Sequence, residues 1–145
     1  MMLSVRPFRD SDRAAVIELW QRCDLSRPWN DAGHDIDRKL DRDPDGFLVG
    51  MLDDSVAATV MAGYDGHRGW INYLAVDPDR RSAGLGAEIM QAAERHLERL
   101  GCPKINLQIR TSNLSAVRFY ESIGYSTDDV VSMGRRLIDD EPPTA

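Results

Sequence analysis

Trp70-Ile71-Asn72-Tyr73-Leu74-Ala75-Val76-Asp77-Pro78-Asp79-Arg80-Arg81-Ser82-Ala83-Gly84-Leu85-Gly86-Ala87-Glu88-Ile89-Met90 reads as strand, loop and helix in succession. The first seven residues, mostly apolar with β-branched and aromatic members, favour a strand. Asp77-Pro78 ends it, because proline restricts its predecessor and cannot donate to a ladder. From Gly84 onward, Leu85, Ile89, Met90, Ala93, Leu97 and Leu100 recur at helical spacing until Gly101 and Pro103 stop them. A helix that starts at these glycines leaves main-chain N–H groups unpaired where the macrodipole is positive, which suits an anion. Gly84 and Gly86 let a phosphate approach without meeting a Cβ, and Arg80 and Arg81 add mobile positive charge at the rim. The ligand this predicts is a pyrophosphate or polyphosphate; an ordinary tightly packed strand-to-helix turn is the competing reading. Ala87 and Glu88 stand where a P-loop needs Lys and Ser or Thr, and Ile89 stands where a dinucleotide fingerprint needs its third glycine.

Working outward, 145 residues make one domain, 1–145, with enough chain to bury a core without disulfides or metals. Apolar residues are 42% and charged residues 29%, and no apolar run approaches the roughly 20 residues that span a bilayer. A net charge of −6 disfavours nucleic acid and would suit a cationic second substrate such as an amine. Met1 to Pro7 lack the basic and apolar regions of an export signal, so the expected compartment is the cytoplasm, with no membrane partner. Cys23 and Cys102 have no C-x-x-C spacing and read as buried small hydrophobes, and no metal site is expected.

Before the central stretch, Leu3 to Phe8 alternate like a half-buried strand, and Asp10 or Ser11 can cap a helix carrying Val16, Leu19, Trp20 and Cys23. A second helix around Ile36 and Leu40 has a narrow apolar stripe and is expected on the surface. Between the two, Asn30 or Asp31 can cap, while Trp29 either pins its loop to the core or lines a pocket. Phe47–Leu52, Ser55–Tyr64 and Gly69–Val76 read as an antiparallel meander, with Asp65-Gly66 the strong hairpin signal. Tyr64, Asp65 and His67 serve that turn or form part of a site in which Asp65 or His67 takes a proton from an amine.

After the central helix, Ile105–Arg110 alternate as a strand, Asn113 caps a helix to Ile123, and a last strand is expected over Val130–Leu137. Residues 139–145 read as a frayed acidic tail.

Arg81-Ser82-Ala83-Gly84-Leu85-Gly86 resembles the acetyl-CoA signature R-x-x-G-x-G of the GNAT superfamily of N-acyltransferases. Asn113, Ala116, Phe119, Tyr120, Gly124 and Tyr125 are similar to that family's second signature region and follow in the expected order. Gly63–Gly69, Arg27–Asp31 and Gly101–Ile105 resemble the bacterial YpeA subgroup, close to the ribosomal-protein alanine acetyltransferases. The resemblance implies an α/β (α+β) fold. Its centre is a mixed, mostly antiparallel sheet of about seven strands with about four helices, splayed open where the cofactor strand parts from the next.

It also implies an acetyl-CoA-dependent N-acetyltransferase acting directly on a primary amine of a small molecule or protein, without an acyl-enzyme. Leu74, Ala75 and Val76 would offer main-chain bonds to pantetheine, and Arg81, Ser82, Ala83, Gly84, Leu85 and Gly86 would cradle the pyrophosphate. Asn113 would contact the pantetheine arm, and Tyr120 would protonate the leaving thiolate, a phenol of pKa about 10 serving a thiol of about 8 to 9. The cofactor strand carries no carboxylate or histidine, so the base is left to Asp65, His67 or water, and the acceptor pocket to Trp29, Asn30, Tyr64, Asp65 and His67. A non-catalytic acyl-CoA-binding module is the alternative, an ATP or NAD binder a remoter one, and a homodimer is compatible with free sheet edges.

Overall fold

The computed structural model describes residues 2–81 and 83–141. Five strands, β1 (Ser4–Pro7), β2 (Phe47–Leu52), β3 (Ser55–Tyr64), β4 (Gly69–Val76) and β5 (Ile105–Leu107), lie side by side in chain order. The first four pair antiparallel, and β5 joins β4 in parallel after the crossover helix α3 (Leu85–Arg99). Alternation sorts the side chains to two faces. Phe47, Val49, Met61 and Ala75 meet Val16, Leu19 and Trp20 of α1 (Arg13–Arg22) and Ile36 of α2 (Ala32–Arg42). Leu48, Val60, Ala62 and Ile71 meet Ile89, Met90, Ala93 and Leu97 of α3, bordered by Phe119 and Tyr120 of α4 (Leu114–Ser122). The result is the expected mixed α/β architecture, a mostly antiparallel sheet between two helical layers. None of the described helices is long and apolar enough to cross a membrane.

Several local expectations change. The sheet has five strands among the described residues, not about seven; of the segments expected to be strands, residues 130–137 form no ladder, and Val130, Val131 and Met133 stay 77%, 87% and 91% exposed. β5 stops at Leu107 rather than Arg110. α2 lies on the surface with a narrow apolar stripe, anchored by Ile36, which is fully buried in the cluster that holds Trp20. Neither Asp10 nor Ser11 caps α1: Asp12, 6% exposed, accepts from the Arg9 N–H at 2.8 Å and from both terminal nitrogens of Arg6 at 2.7 and 2.9 Å. The start of the expected tail is tied down, with Arg38 donating twice to Asp140 at 2.8 and 2.7 Å. Residues 142–145 lie outside the described residues.

One irregularity shapes the sheet. Thr59 opposes Ala75 while Met61 opposes Asn72, so Val60 faces two residues of β4, Tyr73 and Leu74. This bulge puts Tyr73 at φ +52°, in the left-handed region that an aromatic residue rarely enters.

Candidate active site

The site begins where β4 loses its second neighbour. β5 pairs only with Gly69, Trp70 and Ile71, leaving the far half of β4 open on that side. Asp77 N–H donates to Ala57 O at 2.8 Å, and in a trans peptide the preceding C=O points the opposite way, so Val76 C=O faces the gap. The Thr59–Ala75 register repeats the pattern two residues back. Ala75 therefore turns its N–H and C=O to β3, while Leu74 C=O and Val76 N–H face the opening. Of the three expected contacts, Leu74 and Val76 present main-chain groups and Ala75 does not. The Cys23 thiol, from the end of α1, donates to Val76 O at 3.2 Å.

The loop after β4 leads into α3. Gly84 sits at φ +80° as the N-cap residue, and among the described residues no side chain caps the helix. Its first internal bond runs from Glu88 N–H to Gly84 O, so the amides of Leu85, Gly86 and Ala87 are the orphan donors of a fifteen-residue helix. The Glu88 carboxylate, which would repel an anion, is drawn aside to accept from Leu3 N–H at 2.8 Å. Gly86 also gives room to α4: a Cβ there would stand 3.0 Å from the Phe119 ring. Arg80 is not mobile, being held by Asp53 at 3.3 Å and Asp77 at 3.9 Å. Arg81 is exposed and Ala83 half-buried beside the loop, and Ser82 lies outside the described residues.

Across the opening stands α4. Asn113 caps it by accepting from Ala116 N–H at 3.2 Å. Tyr120 is held edge-on between Phe119 and Tyr125, at ring separations of 5.1 and 5.7 Å. Burial pushes its phenol up to about 12, and its hydroxyl makes no hydrogen bond among the described residues. Tyr125, by contrast, donates to Glu94 at 2.8 Å. Tyr120 borders a groove of about 1010 Å³ between β5, α4 and the chain that follows it.

The expected acceptor residues do not come together. Tyr64, Asp65 and His67 lie at the β3–β4 hairpin, beside the Gly69 end of β4, seven residues or roughly 23 Å along the strand from Val76. Asp65 is used up there: Arg68 and His67 N–H groups donate to it at 2.7 and 2.8 Å and hold its carboxyl below the usual range, with Trp70 Nε1 at 3.2 Å. Tyr64 donates to Gly66 O at 3.1 Å. Trp29 lies elsewhere, its ring under the Arg110 guanidinium at 5.3 Å and its carbonyl accepting from Arg136. Asn30 closes that loop on Arg27.

Two residues went unnoticed in the sequence. Tyr73, stacked on Trp20 at 3.9 Å, donates its hydroxyl to Asp35 at 2.6 Å, and burial followed by Asp35 raises its phenol well above the ordinary value. Only the bulge places Tyr73 toward α2, and nothing in the alternation of β4 signals it.

The comparisons with known proteins agree with this geometry. The profile of the acetyltransferase (GNAT) family matches residues 13–125. An acetyltransferase of Pectobacterium atrosepticum is 47% identical over 138 residues, 95% of this chain and 98% of that one. Among solved structures, Ard1 from Thermoplasma volcanium superposes with a TM-score of 0.78 at 24% identity, covering 87% of this chain and 84% of its own. The ribosomal-protein-S18-alanine N-acetyltransferase of Escherichia coli gives 0.71 at 22%, covering 85% and 77%. These two likenesses are of fold.

Proposed function

Because this chain belongs to the acetyltransferase (GNAT) family, we propose that it moves the acetyl group of acetyl-CoA directly onto a primary amine, on a small molecule or a protein, without an acyl-enzyme. The observation that carries the reading is the alignment of unpaired groups. Leu74 C=O and Val76 N–H face the gap, the uncapped start of α3 follows the same strand, and an unpartnered phenol stands on α4. This donor set fits a diphosphate joined to an amide-bearing arm. The cosubstrate supplies an acetyl group activated as a thioester.

The N–H groups of Leu85 to Ala87, with Arg81 and Ala83 in the preceding loop, hold the diphosphate, and Asn113 reaches the arm. Val76 N–H donates to the thioester carbonyl oxygen, where negative charge develops as the neutral amine attacks. Tyr120, whose phenol is protonated at neutral pH, gives its proton to the departing sulfur, and the proton shed by the acetylated nitrogen passes to water, from which the phenolate is reprotonated. The amine enters from the face carrying Tyr73 and Asp35, and Asp65 and His67, at the other end of β4, take no part.

The test is release of free thiol from acetyl-CoA over a panel of amines and peptides. Tyr120→Phe should lower kcat by about a hundredfold while the dissociation constant for acetyl-CoA stays within twofold of wild type, about the cost of a lost general acid. Tight cosubstrate binding with no turnover on any amine would instead mark a binding module.

A further inference from the structure

The end of α4 brings a second phenol to the first. Gly124, at φ +102°, turns the chain back, and the amides of Gly124 and Tyr125 donate to Glu121 O at 3.1 Å and to Tyr120 O at 3.0 Å. In a glycine-ended helix terminus of this kind, the residue after the glycine lays its side chain on the third residue from the helix end. Here those residues are Tyr125 and Tyr120, and their rings meet edge-on with centroids 5.7 Å apart.

Two phenols side by side at the margin of one groove would serve a departing thiolate equally unless something distinguishes them. Glu94 does. It stands on α3, the helix whose start offers the orphan amides, and accepts from the Tyr125 hydroxyl at 2.8 Å. Burial, and after it the Glu94 carboxylate, raise the Tyr125 phenol above its ordinary value, so at neutral pH it remains a donor committed to that carboxylate. The Tyr120 hydroxyl has no such partner among the described residues, although Glu94, Tyr120 and Tyr125 all line the same groove.

From this asymmetry we propose that Glu94 and Tyr125 are positioning residues for Tyr120: the carboxylate engages the Tyr125 hydroxyl, fixes that ring against the edge of Tyr120, and leaves the Tyr120 hydroxyl free to donate to the departing sulfur. Neither residue touches the reacting atoms. The inference rests on the reading of Tyr120 as the proton donor.

Variants compared with wild type on the fastest amine of the panel test it, with circular dichroism melts to establish that each is folded. Tyr125→Phe keeps the ring and loses the hydroxyl, while Glu94→Ala loses the acceptor. Each should lower kcat about tenfold and leave the dissociation constant for acetyl-CoA within about twofold of wild type, because a slightly displaced donor loses much of its effect. Glu94→Gln, whose side-chain carbonyl still accepts, should keep kcat within about twofold of wild type. In a Tyr120→Phe background, Glu94→Ala should cause no further loss. Wild-type kcat in Tyr125→Phe or Glu94→Ala, a Gln variant as slow as the Ala variant, or the same factor of loss with and without the Tyr120 hydroxyl would each overturn the proposal. If Tyr120→Phe alone leaves kcat unchanged, the general-acid reading falls and this one with it.

A readout without turnover is the 13C spectrum of protein labelled at Cζ of its four tyrosines. Coenzyme A added to wild type should move the Tyr120 signal and leave that of Tyr125 in place, and added to Glu94→Ala it should move both. A Tyr125 signal that moves in wild type, or stays in place in the variant, overturns the proposal.

Discussion

Thr59 is fully buried and polar, and both of its hydrogen-bonding roles are filled. Its hydroxyl accepts from Trp20 Nε1 at 2.9 Å and donates to Tyr73 O at 3.0 Å, so a single oxygen joins α1, β3 and the bulge of β4. Thr59→Val keeps the shape and removes the oxygen, leaving a buried indole N–H without an acceptor. A loss of about 1 to 3 kcal/mol is expected in chemical denaturation. Because the Tyr73 carbonyl is freed as well, KM for acetyl-CoA should rise in the folded variant. Buried threonines of this kind are invisible in a pattern of apolar alternation, since Thr59 occupies a core position of β3 without being apolar. Gly86 was half legible for a related reason: the room it leaves for the Phe119 ring shows only once the neighbour is seen.

At the scale of elements, the approach to α1 depends on the Arg6–Asp12 pair, with side chains 21% and 8% exposed. The Arg6 guanidinium, against the cost of burial, holds the Asp12 carboxyl below its usual range. Its contribution is therefore full above an unfolded value of about 3.9 and is lost as pH falls through the lower folded value. Asp12→Ala should cost about 2 kcal/mol at pH 7. Urea midpoints of wild type and variant, compared from pH 7 down to pH 3, should converge toward the acid end. Elements set by local chemistry were legible: the Asp65-Gly66 hairpin, the Asn113 cap of α4 and the apolar stripe of α3 all stand where their residues put them. Those set by distant partners were not. Asp12 depends on β1, the burial of Ile36 depends on Trp20, and Val130–Leu137 has the composition of a strand but no ladder partner among the described residues. The start of α3 was legible because a glycine-led helix start is a local signal. The Tyr73–Asp35 contact was not, because the two meet only through the bulge.

For the molecule as a whole, the two helical layers border different halves of the proposed chemistry. α3 and α4 carry the orphan amides and the phenol, while α1 and α2 carry Trp20 and Asp35 behind Tyr73. The last turn of α1 reaches furthest across, since Arg22 binds Asp77 at 2.8 Å and Cys23 binds the Val76 carbonyl. The other thiol sits at the opposite end of the same strand, where Cys102 lies so near Gly69 that a Cβ there would stand 2.7 Å from its sulfur. The protein thus carries its own matched pair of chemical reporters, one at each end of β4. Alkylation mapped by mass spectrometry should slow at Cys23 when acetyl-CoA is added and proceed unchanged at Cys102, giving an occupancy gauge with a built-in reference and no label to introduce.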